Sequence, residues 1–213
     1  MEKAYDHVDW NFLLYILKRC GFGEKWRSWI KHCITSVRFS ILINGVPSSF
    51  FGSFRGVRQG DPLSPFLFVL VMEALSKMFD AFTSRGLITG FSVGSSEQDR
   101  ISVSHLLFAD DTLVLCEACA SQIRLIGALL ICFEVVSRLK VNLSKSVLVP
   151  VSSLSDVDQL LGLLGCGIGA LPLKYLGLPD GGFLQAQNDL GAVGRVDAAA
   201  VGPLEKVVSF QGG

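Results

Sequence analysis

The most chemically loaded feature of the chain is a pair of adjacent carboxylates in an apolar setting. Asp110 and Asp111 lie within Ser104-His105-Leu106-Leu107-Phe108-Ala109-Asp110-Asp111-Thr112-Leu113-Val114-Leu115-Cys116. Neighbouring like charges raise each other's proton affinity, so such a pair is costly unless a cation lies beside it. Magnesium meets that demand, because it takes carboxylate oxygens and water and links them to substrate phosphates. On spacing alone the alternative is a solvated Asp-Asp turn. A second candidate, the C-x-x-C of Cys116 and Cys119, lacks the further cysteine pair or histidines that tetrahedral zinc needs. The six cysteines read instead as small buried hydrophobes.

Positioning two carboxylates takes a rigid support, and the flanking residues specify one. Apolar runs on both sides of Asp110 and Asp111 predict a β-hairpin with both carboxylates at its tip. Upstream, Leu13, Leu14 and Leu17 share one face of a predicted helix from Trp10 to Arg19, which Gly21 and Gly23 end. A second helix is predicted from Glu24 to Ile34, with Trp26, Trp29, Ile30 and Cys33 on its apolar side. Phe39, Ile41 and Ile43 alternate with period two up to Asn44-Gly45, a strong turn signal, so Ser49 to Val57 is expected to return as the partner strand.

The glycine- and proline-broken stretch Arg55 to Pro65 reads as a structured loop, with Ser64 as cap of a long apolar helix running to about Phe82. A glycine-rich excursion at residues 86–100 leads to the acidic hairpin. Beyond it, a helix from Ser121 to Arg138 is expected to turn Leu125, Leu129, Ile131 or Cys132, and Val136 inward. A strand from Ser146 to Val151 and a short strand in Pro172 to Leu178 follow. After Pro179 the apolar periodicity fades and no element is assigned.

Composition bounds the class. Half of the 213 residues are apolar and 18% charged, which excludes a disordered or collagen-like chain. The densest apolar run, Phe66 to Met72, falls well short of the about 20 residues a bilayer requires, and no signal peptide is evident, so no membrane association is expected. Scattered cysteines without a dense disulfide framework point to an intracellular protein, nuclear or cytoplasmic. The net charge of zero conceals an asymmetry: residues 1–60 carry nine basic and four acidic groups, and the remainder ten and fifteen. A basic front suits a polyanion, and Lys18, Arg19, Lys25, Arg27, Lys31 and Arg38 are its candidates; a solvated face is the alternative.

Five blocks in order give these features a common setting: Met1-Glu2-Lys3-Ala4-Tyr5-Asp6-His7-Val8-Asp9-Trp10, Gly56-Val57-Arg58-Gln59-Gly60-Asp61-Pro62-Leu63-Ser64-Pro65, Phe108-Ala109-Asp110-Asp111-Thr112, Leu139-Lys140-Val141-Asn142-Leu143-Ser144-Lys145-Ser146 and Lys174-Tyr175-Leu176-Gly177. With them the chain resembles reverse transcriptases, most closely the polymerase of plant non-LTR (LINE-type) retrotransposons, over residues 1 to about 180.

The resemblance implies an α+β polymerase palm, an antiparallel sheet backed by helices, over residues 1–179, with residues 180–213 a degraded or poorly ordered tail. It implies RNA-directed DNA synthesis on an RNA template with a DNA primer and deoxynucleoside triphosphates, and two Mg2+ ions held in part by Asp110 and Asp111. Tyr5 matches an aromatic gate against the ribose 2′-hydroxyl; an ordinary half-buried tyrosine is the alternative. Phe108 matches the aromatic before the acidic pair. Arg58, Gln59 and Gly60 match the loop beneath the incoming nucleotide, although Arg58 alone would also suit a surface turn. Lys145 matches a proton donor to pyrophosphate, or is a snorkelling strand-edge lysine. Tyr175 and Gly177 resemble the primer-grip strand, with core packing as the other reading. In relatives the first block opens on an aspartate that here would precede Met1, and fingers and thumb are largely lacking, so these residues by themselves are expected to be inactive. A non-catalytic nucleic-acid-binding remnant and an unstable pseudogene-like product are the alternatives.

Overall fold

A computed structural model describes residues 1, 3–93, 101–150, 157–170, 174–175, 178–179 and 206–210. Helix α1 (Ala4–His7) leads through Val8 into α2 (Trp10–Arg19), whose first turn is capped by Asp9: its carboxylate accepts from the Phe12 N–H at 2.8 Å. Leu13 and Leu17 are buried and Leu14 half-buried, so the apolar face read from spacing is the packed one. Helix α3 (Glu24–Thr35) follows Gly23, which sits at its N-cap. Its inward residues are Ile30 and Ile34, whereas Trp29 and Cys33 are exposed, contrary to the expected face. Trp29 instead lies under the Lys25 ammonium, 5.3 Å from the ring centroid, a contact available only at the surface.

The alternating segment after α3 forms two very short ladders in place of one long hairpin. Strand β1 (Arg38–Phe39) pairs with β4 (Phe51–Gly52), and β2 (Leu42–Ile43) pairs with β3 (Val46–Pro47) around Asn44 and Gly45, both at positive φ. The turn is where the sequence put it, but the return strand begins at Val46, and within Ser49 to Val57 only Phe51 and Gly52 pair, the chain bending at Phe54 and Arg55. All eight strand residues are exposed, so no buried face holds a longer register together.

Helix α4 (Ser64–Ser84) carries Pro65 in its first turn and buries Leu67, Phe68, Val71, Met72, Leu75 and Phe79. Ser64 is not its cap but its buried first residue; Leu63 stands at the N-cap with no side-chain cap, and the Asp61 carboxylate accepts from the Leu63 N–H at 2.9 Å in the turn before the helix. Strands β5 (Phe91–Val93) and β6 (Ile101–Val103) pair antiparallel, and Gly90 packs so closely on the β6 backbone that a Cβ there would lie 2.6 Å from the Val103 carbonyl oxygen. The hairpin β7 (His105–Phe108) and β8 (Asp111–Leu115) comes next.

Helix α5 (Ala120–Ser137) buries Ile123, Ile126, Leu129, Leu130 and Phe133. Of the residues expected inward, Leu129 is buried and Leu125 half-buried, while Ile131, Cys132 and Val136 are exposed. A helix with apolar residues all round it and with Gln122 and Ser137 on its buried side gives the sequence little contrast from which to read its inner face. By length and composition α5 is apolar enough to cross a membrane; 39% of it is buried inside the protein, where it packs with α2, α4 and α6 (Val157–Leu164). Its buried polar residue, Gln122, accepts from the Thr89 and Glu117 N–H groups, each at 3.1 Å, and donates to the Thr89 hydroxyl and the Glu117 carboxylate, tying the two ends of the β5–β8 region to the helix.

The main sheet has five strands in the order β10-β9-β13-β8-β7, where β9 is Val147–Pro150, β10 Gly167–Ile168 and β13 Lys206–Phe210. All pairings are antiparallel except β9 with β10. Strand β13 lies where the sequence assigned no element: two strand neighbours, not a periodic pattern of its own, define it. Strands β11 (Lys174–Tyr175) and β12 (Leu178–Pro179) form a separate two-stranded pair. Helices with small antiparallel sheets are the α+β arrangement expected. The cysteines are less buried than expected: Cys116 is buried, Cys119 and Cys166 are partly covered, and Cys20, Cys33 and Cys132 are exposed.

Candidate active site

The β7–β8 hairpin places its carboxylates as the flanking apolar runs demand. Phe108 pairs with Asp111, leaving Ala109 and Asp110 as the two-residue connection, with Ala109 at φ 49°. The left-handed backbone at an alanine is costly and is held by the ladder on each side. Behind the tip, Thr112 to Cys116 are all buried. The hydroxyl of Thr112, next to Asp111, has no hydrogen-bond partner. Phe108 is exposed at the edge.

The hairpin is fastened to α4 through His105. Its Nε2 lies 2.8 Å from the Ser76 hydroxyl, its Nδ1 3.0 Å from the Ser104 hydroxyl, and its ring stacks on Phe79 with centroids 5.1 Å apart. Burial lowers the His105 pKa below the ordinary 6.5, with Asp80 and Glu73 pulling the other way and Lys77 adding to the decrease.

The first sequence block lies directly against the tip. The Met1 amino group donates to the Asp110 carbonyl oxygen at 3.0 Å and stands 3.6 Å from an Asp110 carboxylate oxygen. Burial lowers that ammonium's pKa, which Asp110 and Asp111 partly offset and Lys145 further depresses. Lys145 itself is exposed in the turn before β9, its N–H directed to Asn142. Tyr5, one turn along, stacks on Phe68 of α4 with centroids 4.9 Å apart.

Gly56 locks the Arg55–Pro65 loop onto this block. Its N–H donates to the Val8 carbonyl at 2.8 Å, its carbonyl accepts from the Trp10 indole at 2.6 Å, and the Val57 N–H donates to the Tyr5 carbonyl at 2.7 Å. Gly56 has φ +84°, and a Cβ there would lie 2.7 Å from the Asp6 carbonyl oxygen, so both backbone conformation and space require glycine. Within this loop, close backbone approach belongs to Gly56. Gly60, with φ +83°, has nothing within 4 Å of a would-be Cβ and is set only by its turn. Sequence reasoning singled out Gly60 and passed over Gly56; the available signal was a second glycine at the head of the same block, between Arg55 and Val57.

Arg58 and Gln59 are exposed and line a cleft of about 360 Å³ with Asp6, Arg55 and Asp61. Asp110 and Asp111 are not among its lining residues, so the structure brings the acidic tip and the first block together, ties the loop backbone to that block, and opens the Arg58–Gln59 side chains onto a neighbouring cleft. The pair Asp110 and Asp111, two half-buried carboxylates on one hairpin tip, suits a divalent ion. Among the described residues no group of three or more His, Cys, Asp or Glu side chains converges on such a position. Tyr175 lies in β11, and Gly177 lies outside the described residues. In the basic front, the Arg27 guanidinium donates to the Phe22 carbonyl at 3.1 Å and Lys25 sits over Trp29, while Lys18, Arg19, Lys31 and Arg38 are exposed.

Helices around a hairpin with paired carboxylates, and a glycine loop bonded to the first helix, define a polymerase domain when set beside known proteins. Residues 1–179 match the family model described as reverse transcriptase (RNA-dependent DNA polymerase), and the chain belongs to that family. It is 44% identical over 71 residues to an uncharacterized mitochondrial protein of Arabidopsis thaliana, covering 33% of this chain and 56% of that one. It is 31% identical over 117 residues to the retrovirus-related Pol polyprotein from type-1 retrotransposable element R2 of Nasonia vitripennis, 55% of this chain and 10% of the polyprotein. A transposon TX1 149 kDa protein of Xenopus laevis is 29% identical over 116 residues, 54% of this chain and 8% of that protein. The chain thus spans about half of one relative and a small fraction of the others, and the expected kinship with non-LTR retrotransposon reverse transcriptases holds.

Proposed function

We propose that the chain carries the palm part of a retrotransposon reverse transcriptase and contributes to two-metal nucleotidyl transfer at Asp110 and Asp111. The observation that carries this reading is the hairpin tip: two carboxylates, backed by buried strand, abutting the first block of a chain that matches the family across residues 1–179. Bound Mg2+ would supply activation of a primer hydroxyl and neutralisation of charge on the leaving pyrophosphate. Asp110 and Asp111 would hold the cations by their carboxylate oxygens. Lys145, exposed in the turn before β9, is the cationic group suited to protonate or shield developing phosphate charge.

Tyr5, fixed by its stack on Phe68, gates the sugar, and Phe108 flanks the nucleotide. Arg58, Gln59 and Gly60 present side chains and backbone to the nucleotide and template, where glutamine donates and accepts without imposing a base. Tyr175 and Gly177 contact the primer strand. Two carboxylates would be fewer than the three the family uses, and displacing an attacking group by about 1 Å can cost 10²-fold, so these 213 residues by themselves are expected to be inactive.

Primer extension on an RNA template with Mg2+ tests this. No incorporation by the chain alone, and Mg2+-dependent incorporation once an aspartate and the upstream strand it belongs to precede Met1, is the expected pair of results. Incorporation by the chain alone that disappears in Asp110→Ala overturns the need for the third carboxylate; extension unaffected by Asp110→Ala overturns the site.

A further inference from the structure

The strand that leads to the acidic tip also ends the main sheet. Strand β7 has β8 on one side and, among the described residues, no strand on the other. The register fixes which of its backbone groups are left over. Phe108 and Asp111 flank a two-residue connection and so exchange hydrogen bonds, as do Leu106 with Leu113 two residues back. The same alternation reaches Ser104, whose carbonyl accepts from the Leu115 N–H at 2.8 Å. His105 and Leu107 therefore turn their N–H and C=O groups away from β8, to the outer edge. We propose that this edge pairs with the β7 edge of a second copy of the chain, giving a two-fold dimer with one continuous sheet. The inference goes beyond the polymerase reading and does not depend on it.

Three observations carry it. First, the edge is unprotected. His105-Leu106-Leu107-Phe108 carries no lysine, proline or bulge, the devices that keep edge strands apart. Leu106 and Phe108 are exposed on one face of the strand. Along it a cleft of about 330 Å³ opens between His105 and Leu107 and the α4 residues Val69, Met72, Glu73 and Ser76, and Phe66 and Val69 expose further apolar surface on that helix.

Second, the strand is self-complementary. When two β7 edges meet antiparallel, the outward groups of His105 in each copy bond those of Leu107 in the other, so every outward group finds a partner. Leu106 then faces Leu106 across the axis as a non-hydrogen-bonded pair, the position at which side chains come closest.

Third, the charges beside the edge suit a two-fold copy. Ser76, whose hydroxyl lies 2.8 Å from the ring of His105 next to the axis, sits on α4 between Glu73 and Lys77. The axis runs perpendicular to the sheet, so both α4 helices lie on one face of it and run in opposite directions, which sets Lys77 of each copy toward Glu73 of the other. Within one chain Lys77 is shared between Glu73 at 3.3 Å and Asp80 at 3.4 Å, all three exposed, and such pairs are weak enough in water to be re-shared across an interface.

The test is sedimentation of the full chain from about 1 to about 100 µM, in reductant so that the exposed Cys20, Cys33 and Cys132 do not link copies. A reversible monomer–dimer equilibrium is expected. Leu106→Lys sets two ammonium groups face to face at the axis and is expected to weaken the dimer about tenfold or more while the chain melts as the parent does. Glu73→Lys is expected to weaken it about threefold, and Glu73→Lys/Lys77→Glu, which exchanges the signs, to restore it. The register has its own readout: on mild oxidation Leu106→Cys is expected to give a dimer linked from residue 106 to residue 106, and Phe108→Cys no such link through residue 108. A parent that stays monomeric over the whole range overturns the proposal, as does a dimer that Leu106→Lys leaves equally tight, an absent 106–106 link, or a sign exchange that restores nothing. An equal loss in Leu42→Lys, on the exposed β2–β3 hairpin, assigns self-association to that surface and overturns it too.

Discussion

Two hairpins of the same chain make an instructive pair. Both have alternating or apolar strands around a polar turn, Asn44-Gly45 in one and Ala109-Asp110 in the other. The first stands with every strand residue exposed and breaks into ladders of two residues. The second extends to four and five residues per strand, is buried from Thr112 to Cys116, and joins a five-stranded sheet. Local turn chemistry is sufficient to start both; only burial on α4 and pairing with β13 make the second rigid enough to hold two like charges side by side.

The largest expected contrast is in core support. Phe79→Ala, which removes a fully buried ring stacked on His105, is expected to cost about 3–5 kcal/mol in a denaturant melt, whereas Ile43→Ala in the exposed hairpin changes stability by no more than about 0.5 kcal/mol. Equal costs would abolish the distinction. The glycines sharpen it. Gly56→Ala faces both a positive φ and the Asp6 carbonyl at 2.7 Å and is expected to cost about 2–4 kcal/mol, while Gly45→Ala, at φ +82° with open space around it, costs only about 1 kcal/mol.

The fastening of the acidic hairpin to α4 has a pH signature. His105 titrates below its unfolded value of 6.5 because the neutral ring is favoured by burial, so the unfolded chain takes up the proton first. Its contribution is fully present above about pH 6.5 and is lost as pH falls through the lower folded value. Comparing the wild type with His105→Gln between pH 8 and pH 5 isolates this: the wild type loses more stability on acidification, and parallel profiles would contradict it. The smallest expected effect is at Thr112. Its buried hydroxyl has no partner, so Thr112→Val is expected to be neutral or stabilising by up to about 1 kcal/mol; a clear loss of stability would show that a water or ion satisfies that oxygen.

Where local chemistry decided the structure, it was legible beforehand. The α2 face through Leu13 and Leu17, the Asn44-Gly45 turn and the tip carrying Asp110 and Asp111 follow from spacing and turn residues alone. Where tertiary contacts decided, it was not. The inner face of α5 is chosen by its neighbours because apolar residues lie all round it while Gln122 and Ser137 are buried, β13 exists through its pairing with β8 and β9, and Ser64 enters the first turn of α4, leaving Leu63 at the N-cap. At the site, the residue types were readable but their grouping was not. Nothing in the spacing says that Gly56 bonds to Val8, that Arg58 and Gln59 open onto a cleft apart from the carboxylates, or that Arg138 and Lys140 share a cavity with Lys3 and Arg55.

The central claim, that the tip is a divalent-cation site, is tested most directly by titrating the isotope-labelled chain with Mn2+ and following paramagnetic broadening of its amide signals. The expected result is selective loss of the resonances of Phe108 to Thr112 and of Lys3 to Tyr5 at the lowest Mn2+ concentrations, abolished in Asp110→Asn/Asp111→Asn. Broadening that spares those residues, or that persists unchanged in the double variant, would contradict it.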